Sequence, residues 1–551
     1  MLKQKVIDIL TKKLGIDKFV LLTPKNSSFG DCAIHINQLK DKKIKIQDFV
    51  KQLKKEEIFE KVEEKSGFIN FFISKKTLVK EIEKIIEQKD NYGKSNINAG
   101  KKVMVEFAHP NTHKLFHIGH LRNISSGESL CRILEAAGNA VIRTNYQGDV
   151  GLHIAKCLWQ VKKEKGLKFK TLADKIKFLG KMYAKGNKAY ETDEKAKKEI
   201  IEVNKMIYKQ GGGIIPLWKE TRQWSLDYFA EIYQRVYTKF DRLYFESELP
   251  KRSMEIVEEC LKKGILKKSE GAIVFKGKSY SLDTRVFVNA LGIPTYEGKE
   301  LALAEREFCE FGIIDKCIHV VGPEQSSFFK VTFKVEELLD PKKYKNKQLH
   351  LVGGWVRLKH GKMSSRSGVV VEGPWLLDEA KRKIIKKYQC EEKIAETLAV
   401  ASVKYSFLKN NISADIVFNF DESVSIEGNS GPYLLYTYVR TQSVLKKAKN
   451  YLNKNRLLDN LNNLEKEEKE LLRSLNQFSE IVEEAAKNLS PNLIANYLFN
   501  LAQKYNLFYQ KCRILEAEED LKNFRLSLTK ATGQIIKNGL YLLVIKTVEK
   551  M

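Results

Sequence analysis

A short apolar run leads into a turn crowded with histidine and then into a helix, and this unit constrains the fold more than any other stretch. Val103 to Phe107 has the length and character of a buried strand. Beyond Pro110-Asn111 the chain reads Thr112-His113-Lys114-Leu115-Phe116-His117-Ile118-Gly119-His120, then Leu121-Arg122-Asn123. The apolar spacing of Leu121, Ile124, Leu130, Ile133 and Leu134 predicts a helix. A strand-to-helix turn presents free backbone N–H groups at the positive helix end, which favours phosphate. Gly119 leaves room for a nucleotide close to the backbone, and His117 and His120 are placed to hydrogen-bond phosphate oxygens.

A second segment lies far downstream: Lys362-Met363-Ser364-Ser365-Arg366, flanked by Gly361 and Gly368. Lys362 on such a loop would bring positive charge to a triphosphate. Two cationic, hydrogen-bonding clusters suit a reaction that needs positioning and charge stabilisation rather than an enzyme nucleophile. Two other readings fit less well. His109, His113, His117 and His120 are four of nine histidines, but Pro110-Asn111 breaks any helix that would align them on a metal. Gly271 to Ser279 imitates a phosphate-binding loop with one residue too many between its glycines. It reads instead as two strands, Ala272 to Phe275 and Ser279 to Leu282, joined by a turn.

Composition agrees. The chain has 551 residues, enough for two to four domains, and a formal net charge of +28, which suits a polyanionic partner such as RNA. Its eight cysteines are scattered without C-x-x-C pairs, which argues for reduced thiols in a cytoplasmic protein and against structural zinc. No apolar run approaches membrane-spanning length, and Met1 to Ile16 reads as an amphipathic helix rather than a secretory leader.

In this order, the two segments resemble the ATP-handling signatures of class I aminoacyl-tRNA synthetases. The resemblance narrows to the arginyl-tRNA synthetase family. Val105 to Asn111 resembles the strand that opens its catalytic domain, and Asn145-Tyr146-Gln147-Gly148-Asp149-Val150-Gly151 the next strand end. Trp218, Trp224-Ser225 and Phe240 to Ser247 resemble its helical insertion. Pro294-Thr295-Tyr296 and Val321-Gly322-Pro323-Glu324-Gln325 resemble later strand ends. Gly431 to Arg440 resembles the start of its anticodon-binding helices, and Asn538-Gly539-Leu540 its C-terminal end.

The resemblance implies a multidomain fold. A small α+β N-terminal domain (1–78) that touches tRNA and a linker (79–100) precede a Rossmann-like parallel-sheet catalytic domain (101–368). That domain holds a helical insertion at about 162–254, and an all-α anticodon-binding bundle (369–551) follows. It implies ATP with Mg²⁺, L-arginine and tRNA(Arg) as substrates, no protein-held metal, no membrane and a monomer. His117, Gly119, His120, Lys362, Met363, Ser364 and Ser365 would handle ATP. Lys114 would replace charge lost where the family's second lysine is Ser365. Glu106 and Asn111 would hold the amino end of arginine, with Asp149 in the same set. Tyr296, Glu300 and Gln325 would face its side chain, Glu300 standing where the family has Asp. A guanidinium stays charged, so its pocket must supply carboxylates. Tyr433, Tyr436, Tyr438 and Arg440 combine aromatic and basic character suited to splayed bases. Glu300 also suits an exposed position in a helix's first turn, and each tyrosine also suits a bundle core.

Overall fold

The computed structural model describes residues 2–15, 19–24, 26–42, 45–166, 168–359, 371–448 and 464–551. The chain forms two compact units, 98–424 and the pair of segments 1–97 and 425–551.

The first part of the two-segment unit contains α1 (Leu2–Leu14), β1 (Leu21–Leu22), β2 (Cys32–His35), α2 (Ile46–Leu53), β3 (Phe59–Lys65), β4 (Phe68–Ile73) and α3 (Lys75–Gln88). Its four strands form an antiparallel sheet in the order β1-β2-β4-β3. Helix α3 occupies residues the sequence assigns to a linker. Leu78, Val79, Ile82 and Ile85 bury one face of it, so it is part of the core.

The other unit begins with β5 (Lys102–Glu106), α4 (Ile118–Ala136), β6 (Ala140–Gln147) and α5 (Leu152–Val161). Helices α6 (Leu172–Thr192), α7 (Glu194–Tyr208) and α8 (Ile215–Arg235) then form the insertion, followed by β7 (Arg242–Phe245) and α9 (Pro250–Lys262). Strands β8 (Lys267–Ser269), β9 (Ala272–Phe275) and β10 (Arg285–Val288) make a small antiparallel sheet. Then come α10 (Tyr296–Glu310), β11 (Lys316–Val321), α11 (Ser326–Leu339), α12 (Pro341–Tyr344), β12 (Gln348–Val352) and β13 (Val356–Leu358). Beyond residue 370, α13 (Gly373–Tyr388), α14 (Glu392–Leu408), β14 (Ile416–Phe418) and α15 (Phe420–Ser423) complete the unit.

Its main sheet is parallel throughout, in the order β12-β11-β5-β6-β7. Such a sheet places its ligand sites beyond the strand C-termini, here at Glu106, Gln147, Phe245 and Val321. Three expectations are corrected. Phe240 to Ser247 does not belong to the insertion, because β7 pairs with β6 from Thr144↔Arg242 to Gln147↔Phe245. The strand expected at Ser279 to Leu282 is instead a helical turn over Gly277–Tyr280, and β9 pairs with Arg285–Val288. Residues 371–424 belong with the sheet rather than with the terminal bundle. Buried Arg122 of α4 explains this last point. Its guanidinium donates to the carbonyls of Trp355 at 3.0 Å, Ile412 at 2.8 Å and Ala414 at 2.6 Å.

The two-segment unit closes with α16 (Gly431–Lys447), α17 (Lys466–Leu475), α18 (Phe478–Lys487), α19 (Pro491–Lys511) and α20 (Glu519–Leu542). Helices α17 and α18 bury Leu471, Leu472 and Val482. Arg473 of α17 reaches Asp31 beside β2 at 2.9 Å. Buried Arg525 of α20 pairs with buried Glu468 at 2.6 Å.

Candidate active site

The loop after β5 carries three non-glycine residues with positive φ, Ala108 at 85°, His109 at 54° and His113 at 61°. Strain of this kind persists only where surroundings impose it. Here the impositions are hydrogen bonds to the neighbouring strand. His109 N–H donates to Asn145 Oδ1 at 3.1 Å and Thr112 N–H to the Gly148 carbonyl at 2.9 Å. The loop thus lies across the C-terminal end of β6.

It delivers His117 to the N-cap of α4. His117 Nδ1 accepts the Gly119 N–H at 3.1 Å, and His120 Nδ1 accepts the His117 N–H at 3.1 Å, a capping box made by two histidines. Their rings stack with centroids 3.6 Å apart. A Cβ at residue 119 would stand 3.0 Å from the His117 ring, so glycine makes room for this fold-back as well as for a ligand. Burial and the nearby Lys114 charge push the His117 imidazole down to about 4, and burial beside His117 pushes His120 well down. The pair is therefore neutral, which corrects the expectation of a cationic cluster. Because both Nδ1 atoms accept, each ring carries its proton on Nε2 and presents one N–H donor. Half-buried Lys114 stands over the Tyr183 ring at 5.9 Å and supplies the positive charge.

Lys362, Met363, Ser364 and Ser365 lie outside the described residues. The chain just beyond them meets the histidine turn directly. Ile118 N–H donates to the Val371 carbonyl at 2.9 Å, and Gly373 N–H to the Phe116 carbonyl at 2.8 Å. The tertiary fold thereby brings the downstream flank of the second signature onto the first.

The residues expected to bind an amino acid surround the ends of β5, β6 and β11. Glu106 ends β5, buried, with Oε1 2.8 Å from His319 Nδ1. Asn111 lies against Gly148, where a Cβ would strike its Oδ1 and stand 3.2 Å from Glu246 Oε2. Glu300 is 4% exposed on α10, which settles the choice against a solvent position. Tyr296 is 55% exposed at the start of the same helix, with its ring 5.0 Å from Lys299 Nζ. Gln325 is exposed in the turn after β11. Asp149 is buried and committed within the chain. It accepts from Ser247 N–H and Oγ–H, each at 2.7 Å, and pairs with Arg222 at 2.7 Å. It holds β6, β7 and α8 in register, with no oxygen left over from those contacts.

Four participants escaped the sequence reading: Tyr146, Glu246, Lys299 and His319. Glu246 follows β7, and Lys299 forms a buried ion pair with it while also donating to Tyr208 Oη at 3.1 Å. Among the described residues, Glu246 Oε2, Glu300 Oε1 and Tyr146 Oη are buried and have no hydrogen-bond partner. These groups share a neighbourhood. Burial raises the Tyr146 phenol well above its usual range, and the charges of Glu246 and Glu106 add to that rise. Burial also raises the Glu300 carboxyl well above its usual range, with His319 only partly opposing. Two buried carboxyl oxygens and a buried phenol oxygen are thus left without hydrogen-bond partners. Glu307, Cys317 and His319 place possible metal-ligand atoms within 4.8 Å of one another. Both His319 nitrogens are already bonded, to Glu106 and to Gln348 at 2.9 Å, so the group does not present a metal-ready imidazole.

A second cluster lies in the other unit. On α16, Arg440 donates to Asn506 Oδ1 at 2.6 Å and to Tyr436 Oη at 2.9 Å, and Asn506 Nδ2 donates to Tyr433 Oη at 2.9 Å. The Arg440 guanidinium lies 4.8 Å from the Tyr436 ring centre and 4.9 Å from that of Tyr509. Tyr433, Tyr436 and Arg440 are thus brought together with Asn506 and Tyr509 of α19, which sequence spacing did not reveal. Tyr438 projects from another face of α16 and does not join.

Comparison with known proteins agrees with this arrangement. Residues 81–420 match the family model described as tRNA synthetases class I (R), catalytic domain. Residues 434–551 match the DALR anticodon binding domain, and 1–73 the arginyl tRNA synthetase N terminal domain. The arginine–tRNA ligase of Borrelia duttonii is 33% identical over 98% of this chain and 96% of its own length. That of Clostridium acetobutylicum is 34% identical over 90% and 88%. The solved arginyl-tRNA synthetase of Thermus thermophilus superposes with a TM-score of 0.83 over 100% of both chains at 24% identity. That of Plasmodium falciparum gives 0.78 over 100% and 99% at 22% identity. With a catalytic-domain model match covering more than half its length and relatives a third identical over nearly all of it, the chain belongs to the arginyl-tRNA synthetase family of class I arginine–tRNA ligases.

Proposed function

We propose that the catalytic unit activates L-arginine with Mg·ATP and transfers it to the 3′-terminal ribose of tRNA(Arg). The observation that carries the amino-acid assignment is the set of buried, unbonded acceptors at Glu246, Glu300 and Tyr146. Burying such atoms costs about 1–3 kcal/mol each unless a ligand bonds them, and a guanidinium offers five N–H donors in one plane. Glu300 and Glu246 take the guanidinium, Tyr296 closes the exposed side, and Glu106 with Asn111 takes the α-ammonium. Gln325, at the end of β11, borders the same ligand. Asp149 supports the pocket through Ser247 and Arg222 rather than by contact.

The arginine carboxylate attacks the α-phosphorus of ATP, forming the acyl phosphate ester as the bond to the β-phosphate oxygen breaks. The Nε2–H donors of His117 and His120, Lys114, and Lys362 with Ser364 from the second signature stabilise the charge that develops on the phosphates. Mg²⁺ travels with ATP as part of the substrate, held mainly by phosphate. The cluster of Tyr433, Tyr436 and Arg440 receives bases of the anticodon loop. The enzyme acts as a cytoplasmic monomer, and activation awaits tRNA binding.

The test is charging of total tRNA with each amino acid offered separately. Arginine alone is expected to be attached. Attachment of another amino acid would reject the pocket assignment, and pyrophosphate exchange with arginine and ATP alone would reject the tRNA requirement.

A further inference from the structure

Four carboxyl groups, Glu106, Glu300, Glu307 and Glu336, are buried around one imidazole, that of His319. They come from three elements packed on β11: Glu106 from β5, Glu300 and Glu307 from α10, and Glu336 from α11. Two phenylalanine rings, Phe329 and Phe333, lie 5.0 and 5.4 Å from the imidazole and keep water from it.

The hydrogen bonds fix who carries protons. Gln348 Nε2 donates to Glu336 at 2.9 Å, so its Oε1 must accept, and the group facing it is His319 Nε2 at 2.9 Å. The other imidazole nitrogen, Nδ1, faces Glu106 Oε1 at 2.8 Å. With an acceptor on each side, both ring nitrogens carry hydrogen, and the ring is an imidazolium. Burial disfavours that charge, and the hydrogen bond and negative charge of Glu106 oppose the cost. Glu307 accepts from the Cys317 thiol at 3.8 Å, and burial beside the Glu106 charge pushes its carboxyl well up, so Glu307 is the protonated one of the two. Cys317, on the same strand, is kept a thiol by burial. His109, on the loop after β5, is kept neutral by burial. Lys299, the other buried cation nearby, is already spent on Glu246.

We propose that His319 is a positioning residue for amino-acid binding: clamped between Gln348 and Glu106, its imidazolium selects Glu106 as the charged carboxylate of the buried group and aims it at the α-ammonium of arginine. Four carboxylates cannot all be ionised around a single cation in a site without water. The one bonded to that cation keeps its charge, burial holds Glu300 and Glu307 protonated, and Glu336 is raised only to about 7. The α-ammonium subsite is therefore charged before substrate binds, whereas Glu300 becomes charged only as the guanidinium enters.

This inference rests on the reading that Glu106 holds the α-ammonium, and the experiment separates the two. The probes are L-arginine and its deamino analogue, which keeps guanidinium and carboxylate but lacks the amine, compared as substrate and competitive inhibitor of tRNA charging. Three variants of the full chain are measured between pH 6 and 9: His319→Phe, whose ring suits the Phe329 and Phe333 surroundings, His319→Gln, and Glu106→Gln.

For His319→Phe the arginine KM is expected to rise about 30-fold at neutral pH, the scale of one charge-assisted hydrogen bond, while the inhibition constant of the deamino analogue moves less than about twofold. The raised KM should recover as pH rises and Glu106 ionises without its partner. His319→Gln should shift the same ratio in the same direction, which decides the matter if the Phe variant does not fold. Equal losses for arginine and its analogue, or no change in either, would overturn the role of His319. If Glu106→Gln itself leaves the ratio unchanged, the assignment of the α-ammonium to Glu106 fails first, and the inference with it.

Discussion

The two clusters differ in how they wait for their ligands. In the catalytic unit, Glu246, Glu300 and Tyr146 present buried atoms with no partner. In the other unit, Arg440, Tyr436, Tyr433 and Asn506 bond one another in a closed network near solvent. A small cation gains the full benefit of groups already stripped of water, so the first site discriminates by what it leaves unsatisfied. The second must exchange internal bonds for contacts to bases, so it gains less per residue and relies on stacking. On the proposed assignment, specificity for the amino acid and recognition of the nucleic acid rest on different physics in one chain.

The sharpest way to break this comparison is Glu246→Ala, which strands Lys299 as an unpaired buried charge as well as removing a guanidinium acceptor. A loss of about 10³ in kcat/KM for arginine is expected, in line with about 3–5 kcal/mol for breaking a buried pair. Retention of near wild-type kcat/KM would mean that the unsatisfied carboxylates are not the arginine pocket.

The histidine pair tests whether the phosphate side works by donated hydrogen bonds rather than by charge. His117→Ala should lower kcat about 10²-fold, the scale for one preorganised donor, with arginine KM little changed. Because burial and Lys114 hold His117 down to about 4, its neutral form persists across the working range, and no acid loss attributable to it should appear above pH 5. An acid limb near pH 6.5 that vanishes in the variant would show that the imidazolium is the active form.

At the nucleic-acid side, Tyr436→Ala should raise the KM for tRNA about tenfold, since one stacked base is worth about 1–3 kcal/mol. Unchanged tRNA KM would remove this cluster from the binding surface.

The pH dependence of arginine affinity sharpens the contrast further. Burial raises the Glu300 carboxyl, so the empty site holds a proton there that must leave when the guanidinium binds. Affinity should accordingly rise with pH, by at most about tenfold per unit for one proton, and level off above the carboxyl's own pKa. Glu300→Gln should bind arginine more weakly and flatten this slope; an unchanged slope would place the coupled proton elsewhere. The smallest effect is expected at Tyr438, which lies off the cluster. Tyr438→Ala should change tRNA KM by less than about twofold, as for an ordinary surface substitution.

Much of the fold was legible because its signals are local. The strand before the histidine turn and the helix after it announce themselves by apolar spacing, and β5 and α4 lie at Lys102–Glu106 and Ile118–Ala136. The resemblance in motifs carried the catalytic and terminal regions together. Misreadings arose where a short element depends on a distant partner. Arg242–Phe245 is a strand only because β6 offers it an edge, and α13 and α14 join the catalytic unit because Arg122 holds the chain ends around them. Candidate residues show the same division. Asp149 was noticed for its place in a motif, yet the fold commits its oxygens to Ser247 and Arg222.

The sequence by itself determined the architecture of the phosphate turn, the presence of carboxylates for a basic substrate and the kinship of the chain. Only the tertiary structure decided which of those groups are charged. Two histidines that read as cations are neutral because the turn buries them beside Lys114, and Glu106 stays ionised among buried acids because His319, 213 residues away, bonds to it. Protonation follows the local dielectric and the nearest partner, and those are set by packing between segments that sequence order keeps far apart.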